Sequence, residues 1–398
     1  MPVINRVAAF HVDMKAWRQE IHSFPELCFE ENRTADLVAA RLASFGIEIH
    51  RGLATTGVVG TLRAGTSTRA IGLRADMDAL PMGEDNAFSY RSLNAGRMHA
   101  CGHDGHTAML LGAARYLAET RNFDGTVHFI FQPAEEGGGG GKVMVDEGLF
   151  DRFPVESVYG MHNWPGLEAG RFSVRPGPMM ASADKFDIVV RGMGTHGAMP
   201  HRGTDPVVCA AHIVTALQTI ASRETNPLDA VVVSVTQIHA GEAYNVIPNE
   251  CVLRGTIRAF EPKVREGLPA AMERIAGGIA RAMGCEMKLD YDHGYPPLVN
   301  SASEVEFAAR AMREVAGADN VTTDGIMTMG SEDFAFMLLA KPGCYAFIGN
   351  GDGSHREGGH GMGPCMLHNP SYDFNDELIP LGGSFWVKLV QRFLPATA

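Results

Sequence analysis

The segment from Met98 to Thr107 reads Met-His-Ala-Cys-Gly-His-Asp-Gly-His-Thr, which places the thiol of Cys101 among the imidazoles of His99, His103 and His106. A Cys-x-His pair just ahead of a helix can turn both side chains towards one ion. Thiolate with imidazole suits zinc or another first-row transition metal. Gly102 and Gly105 allow the backbone to bend tightly around something small. Taken alone, the segment is equally a set of packing residues that satisfy local hydrogen bonds. Four further segments carry matching chemistry: Leu73 to Pro81 with Asp76 and Asp78, Phe131 to Glu136 followed by Gly137 to Gly141, Gly160 to Trp164 with His162, and Leu367 to Pro370 with His368. Together they make a metal site the leading reading.

Glu135 and Glu136 are adjacent carboxylates at the end of an apolar run, and neighbours in an extended backbone point to opposite sides. One can then bind a metal while the other addresses a water beside it; a flexible acidic surface loop is the plainer alternative. The glycines that follow do not form a phosphate cradle. Glu136 stands where a P-loop needs its first glycine, and Val143 where it needs Ser or Thr. A His-Glu-x-x-His helix and a Gly-x-Ser-x-Gly elbow are both absent from the sequence. Cys101 as a nucleophile stays open, although a thiol beside His103 and a carboxylate-rich loop fits a metal thiolate better. Asp76 and Asp78 follow a strand and precede Pro81, where an Asp can fix the tautomer of a metal-ligating imidazole or simply make a turn.

These residues need elements to hold them. The apolar periodicity predicts helices over Met14 to His22 and over Glu31 to Phe45, and strands over Gly57 to Arg63 and Ala70 to Ala75. Asp104 is expected to cap a helix running to about Thr120, with Cys101 and His103 in the turn before it. Thr126 to Phe131 and Ser157 to Met161 read as strands leading into the Glu135-Glu136 loop and His162. The metal-type residues therefore fall at strand ends and helix starts, where open α/β sheets place their ligands. From Phe186 to Tyr291 the rhythm becomes strand, helix, strand, strand, helix, strand, the split βαβ order of a ferredoxin-like sandwich. Isolated residues there, His196, Asn245 and Arg258, read by themselves as satisfied structural groups. The expected fold is a mixed-sheet α/β catalytic domain with helices on both faces, residues 1–184 and 294–398. Inserted in it, at 185–293, is a ferredoxin-like α+β lid and dimerisation domain.

A chain of 398 residues with 45% hydrophobic and 20% charged content has the composition of an ordinary globular protein and room for two cores. A net charge of -12 without any Lys/Arg cluster argues against a nucleic-acid partner. Val207 to Ser222, the longest uncharged run, is too short and too polar to span a bilayer, so no membrane partner is expected. Seven cysteines without framework spacing read as reduced thiols, and Met1 to Glu20 has no secretion-signal pattern; a cytoplasmic location is expected.

From about Trp17 to Asp376 the chain resembles the di-metal amidohydrolases and aminoacylases related to hippurate hydrolase, the bacterial N-acyl-amino-acid amidohydrolases and the plant auxin-conjugate hydrolases. The residues that carry this are Arg-Ala-Asp-Met-Asp-Ala-Leu-Pro from Arg74, His-Ala-Cys-Gly-His-Asp-Gly-His-Thr from His99, Gln-Pro-Ala-Glu-Glu-Gly from Gln132, Gly-Thr-His-Gly-Ala-Met-Pro-His from Gly194, Gly-Ser-Glu-Asp-Phe from Gly330 and Leu-His-Asn-Pro from Leu367. The resemblance implies that Cys101, His103, Glu136, His162 and His368 hold two divalent ions per subunit, manganese, zinc, cobalt or nickel, with Cys101 between them. It implies Glu135 as the general base and Asp76 as a catalytic residue of the second layer. The more distant carboxypeptidase relatives have His-x-Asp where this chain has Arg74-Ala75-Asp76. His196, Asn245 and Arg258 match residues that contact the substrate's carboxylate or carbonyl, His196 from the other subunit of a homodimer or dimer-based oligomer. The implied activity is metal-dependent hydrolysis of N-acyl amino acids. A dipeptidase or N-carbamoyl amino acid hydrolase on the same scaffold is the near alternative, and a metal-loaded binding protein without turnover the distant one. Glu135 separates the last, since a binding site needs ligands but no base.

Overall fold

The strand Ala70–Asp76 is buried at every residue. Successive side chains of a strand point to opposite faces, so both faces of the sheet around it are covered. This strand lies inside an eight-stranded sheet in a computed structural model that describes residues 3–356 and 358–396. Its strands are β1 (Glu48–Leu53), β2 (Gly57–Ala64), β3 (Ala70–Asp76), β4 (Gly125–Gln132), β5 (Ser157–Pro165) and β6 (Phe172–Ser173), with Val321–Thr322 and Gly343–Gly351 returning later in the chain. The order is β1, β2, β4, β3, β5, Gly343–Gly351, β6, Val321–Thr322. β1, β2 and β4 pair antiparallel, whereas β4, β3, β5 and Gly343–Gly351 run parallel, so the sheet is mixed. Parallel neighbours carry Asp76, Gln132 and His162 at the same edge of the sheet, with Asp76 opposite Gln132 and Phe347 opposite His162.

Helices His11–Ser23, Asn32–Ser44, His103–Thr120, Ala302–Ala316 and Ile379–Phe393 complete this first unit. The helix from His103 is buried along most of its length. Two glycines permit this placement for different reasons. Gly102 precedes the helix at φ 93°, and a Cβ there would strike Asn163 Oδ1 at 2.1 Å. Gly105 lies within the helix, where a Cβ would meet the Phe374 ring at 2.4 Å, so it serves close packing and not the expected bend. Asp104 does not cap this helix either. Gly102 holds the cap position, and the Asp104 carboxylate accepts from His22 Nδ1 at 2.8 Å.

The first unit comprises Met1–Gly177, Val299–Ile326 and Asp333–Ala398; the second comprises Pro178–Leu298 and Met327–Glu332. The segment 327–332 joins the second unit because Ala181 N donates to Thr328 O and Gly330 O, at 3.2 and 2.9 Å. In the second unit four antiparallel strands lie in the order Val231–Ala240, Glu250–Ala259, Ala183–Arg191, Glu286–Tyr295. Helices Pro206–Thr219 and Pro262–Ala282 complete the split βαβ sandwich. Asp184, Phe186, Ile188 and Val190 alternate inward on one strand, the pattern of a sheet packed on one face. Asp205 accepts from Val207 N and Val208 N ahead of Pro206, which fixes where the first of these helices begins. It ends at Thr219, and a π-turn, Ile220–Glu224, follows it. Among the described residues no helix is long and apolar enough to cross a membrane.

Candidate metal centre

Cys101 and His103 flank Gly102 at the start of the long buried helix, and the turn after β4, the end of β5 and the loop before Pro370 converge on them. Cys101 Sγ lies 3.3 Å from His162 Nε2. The donor atoms of Cys101, His103 and His162 lie within 4.8 Å of one another, and so do those of Cys101, Glu136 and His368. The two triads share the thiol. His368 N donates to Ala100 O at 2.8 Å, which ties its loop to the cysteine turn. The His368 side chain is 54% exposed while His103 and His162 are buried, so the cluster is closed from below and open on the His368 side.

The expected opposition of Glu135 and Glu136 is not what the fold builds. Pro133 and Ala134, the latter at φ 56°, end the strand early and put both glutamates in a turn. One oxygen from each then lies within 4.8 Å of a His103 nitrogen. The turn is pinned from a distant part of the sequence: buried Glu31 accepts from Ala134 N at 2.9 Å, Phe29 N at 3.1 Å and Thr56 Oγ1 at 2.6 Å.

Asp78 contacts His103 and the Glu136 backbone more closely than Asp76 does. Its backbone and side-chain oxygens face His103 Nδ1 at 2.9 and 3.2 Å, and its Oδ2 accepts from Glu136 N at 2.8 Å and Cys28 Sγ at 3.4 Å. Asp76 instead pairs with His106 Nδ1 at 2.6 Å and Arg74 Nη1 at 2.7 Å, and stays 3.7 Å from His103 Nε2. His106 reaches on to Asn163 Oδ1 at 2.8 Å, while His162 Nδ1 donates to Asn163 O at 2.6 Å. With Nδ1 of His103 and of His162 engaged, both imidazoles direct Nε2 towards the thiol.

Among the described residues the buried His103 Nε2 has no hydrogen-bond partner, and Glu136 Oε1 meets His368 Nε2 at 3.2 Å. A buried polar atom without a partner is costly, and a cation held at His103 Nε2 removes the cost. The electrostatics agree. Burial, then Glu136 and Glu135, hold the Cys101 thiol well above its ordinary pKa. Burial and the neighbouring His106 hold His162 well below the usual imidazole value. Burial also opposes charge on His103, but Asp76 and Asp78 outweigh it and raise that group to about 10. A site so rich in acceptors, with a neutral thiol at its middle, is suited to divalent cations, whose charge reverses the preference of the thiol.

The sequence reading gave no role to Asn163, Glu31 and Cys28, and named His106 only as one of the imidazoles around Cys101. His106 lay in the quoted motif and Asn163 beside His162; Glu31 and Cys28 carried no local signal. The three substrate-type residues all lie in the second unit. His196, exposed, pairs with Val246, and Gly197 N donates to Asn245 O at 2.7 Å, so His196 and Asn245 are neighbours. Arg258 is near the far end of the strand that starts at Glu250, about 26 Å along at ordinary strand rise. It donates to Thr256 Oγ1 and Ile257 O.

Comparison with known proteins adds the following. The sequence model of peptidase family M20/M25/M40 matches residues 72–392. The chain is 40% identical over 394 residues to hippurate hydrolase of Campylobacter jejuni, covering 99% of this chain and 100% of that protein. It is 46% identical over 291 residues to an N-acyl-L-amino acid amidohydrolase of Geobacillus stearothermophilus, covering 72% and 78%. A dinuclear metal-binding peptidase of Bacillus subtilis superposes with a TM-score of 0.83 at 32% identity, covering 96% and 98%.

Proposed function

The chain belongs to peptidase family M20/M25/M40 and is a hydrolase, and from that membership we propose that it hydrolyses the amide bond of N-acyl amino acids to a carboxylic acid and a free amino acid. The observation that carries this reading is the pair of triads sharing the Cys101 thiol, with a further carboxylate, Glu135, beside them. Cys101, His103 and His162 would hold one divalent ion and Cys101, Glu136 and His368 the other; when bound, such ions polarise an amide carbonyl and acidify water. Manganese, zinc, cobalt and nickel are the candidates, and thiolate with imidazole favours zinc. Glu135 takes the proton of the attacking water and returns it to the leaving amine. Asp78 keeps His103 and the Glu136 backbone in register with each other, and Asp76 does the same for His106. Seven free thiols support a cytoplasmic location.

Glu135→Gln keeps the shape and removes the base. The expected outcome is retention of metal by elemental analysis with kcat on N-acyl amino acids reduced roughly 10²-fold or more. Loss of metal with a rate restored by excess ion would exchange the roles of Glu135 and Glu136. A panel of N-acyl amino acids, dipeptides and carbamoyl amino acids, assayed after reconstitution with each ion, fixes the substrate class.

In the same reading the chain works as a homodimer, with the second unit as lid and dimerisation domain. Arg258 binds the substrate's carboxylate and His196, with Asn245, completes the site of the other subunit. His196 sits beside Asn245 on the short strand Thr195–His196, whereas Arg258 lies near the end of the separate strand Glu250–Ala259, and this placement supports the division of labour. Mixing inactive His196→Ala with inactive Glu135→Gln restores about a quarter to a half of the activity per mixed dimer, since one of its two sites draws both intact residues. Proven subunit exchange without any recovery would exclude a role in trans.

A further inference from the structure

Strand β5 outruns its neighbour on one side. Its pairing with β3 stops at Arg74 opposite Gly160, so His162 and Trp164 project past the end of that ladder. Residues two apart on a strand share a face, and the Trp164 ring centroid is 6.4 Å from that of His162. Every other residue of β5 is buried, whereas Trp164 is half-buried. One face of its indole is stacked on buried Phe347, with centroids 4.2 Å apart and planes at 24°. Phe347 in turn meets the edge of Tyr345 at 6.3 Å. The residue opposite Trp164 on the adjoining strand is Gly349, which contributes no side chain beside the indole. Among the described residues Trp164 makes no other ring stack than that on Phe347, and its Nε1 donates no hydrogen bond.

We propose that Trp164, backed by Phe347, is the wall of an acyl-binding subsite that selects planar aromatic acyl groups, such as a benzoyl ring, over small aliphatic ones. The inference rests on the amide-hydrolase reading and adds the substrate class to it. That reading gives the amino-acid carboxylate to residues of the second unit, which leaves the acyl half of the amide to the unit that holds the thiol and imidazoles. A ring bonded directly to the scissile carbonyl extends only a few ångströms from the reacting carbon, and an aromatic platform one ring's distance from His162 lies within that reach. Its anchoring is rigid: an indole fixed against a buried phenyl ring loses little freedom when a second ring stacks on it.

The test compares kcat/KM for N-benzoylglycine, N-cyclohexanecarbonylglycine and N-acetylglycine in the metal-loaded full chain, for wild type, Trp164→Leu and Trp164→Phe. Leucine keeps an apolar side chain and removes the ring; phenylalanine keeps a ring. The benzoyl-to-acetyl ratio is expected to fall roughly tenfold in the leucine variant, mainly through KM, and to recover most of that in the phenylalanine variant. The cyclohexanecarbonyl-to-acetyl ratio is expected to fall less. An unchanged benzoyl-to-acetyl ratio in Trp164→Leu, or equal falls for the benzoyl and cyclohexanecarbonyl substrates, overturns the aromatic subsite while leaving amide hydrolysis standing. Wild-type protein that cleaves none of the three overturns both.

Discussion

The two units bury different things. Within the first, Arg18, His22, Arg74, Asp76, Asp78, His99, His103, Asp104, His106 and Asp333 are all buried, most of them hydrogen-bonded to one another over long stretches of sequence. In the second, the buried polar side chains among the described residues are Ser182, Asp184 and Glu332, and the interior is otherwise aliphatic, aromatic and thiol. A sandwich of the second kind needs little more than alternation to fold. An interior of the first kind is expensive, because each charge taken from water must be matched by a partner. Much of that cost falls around Cys101 and His103, where hydrogen bonds to Asp78 and Asn163 fix the His103 and His162 rings in place.

The contrast is sharpest in Asp333, which accepts from Arg74 Nη2 at 3.2 Å, Gln132 Nε2 at 2.7 Å and Gly141 N at 2.7 Å with no exposure. Asp333→Ala leaves the Arg74 guanidinium short of a partner in a dry interior, and chemical denaturation should show a loss of about 3–5 kcal/mol. A loss below about 1 kcal/mol would mean that water enters this network and that the two units do not differ as described.

Protons should act more gently on the same interior. His22 is buried; desolvation opposes its charge, but Asp104 and Glu84 outweigh it and raise its pKa from 6.5 to about 9. The folded form then binds the proton more tightly than the unfolded one. The contribution is complete below pH 6.5 and is lost as pH rises through 9, about 3 kcal/mol at most for a shift of this size. Denaturation curves at intervals between pH 6 and 9.5 should show this decline in wild type and a flatter profile in His22→Gln. A parallel decline in both would assign it to other groups.

At the small end, Arg254 and Asp187 form a 3.0 Å pair on the second unit, with side chains 52% and 45% exposed. Arg254→Ala should change stability by less than about 1 kcal/mol, because solvent already screens both charges. A larger loss would give the second unit a dependence on charge that its interior does not suggest.

What the sequence disclosed follows the same division. Alternation disclosed the order of strands and helices in the second unit, and the ligand-type residues of the first announced themselves by type and by their position at element ends. The supporting network was not legible. Arg18 and His22 lie on the buried stripe of their helix beside Met14, Trp17 and Ile21, where a polarity pattern alone would turn them outward. Asp78 could not be told from Asp76, because the choice depends on where β3 ends and how the turn to Pro81 folds back on His103. The placing of Glu135 and Glu136 depended on Glu31, a hundred or so residues earlier, whose carboxylate holds the Ala134 turn.

The central claim is that the Cys101 cluster is a two-ion hydrolytic centre. It is tested most directly by removing divalent ions with a chelator, measuring bound metal by elemental analysis as ions are returned, and following hydrolysis of an N-acyl amino acid on the same samples. The account predicts activity lost with the metal, regained as the content approaches two ions per chain, and regained by no ion in Cys101→Ala. Undiminished turnover by protein shown to be metal-free would contradict it.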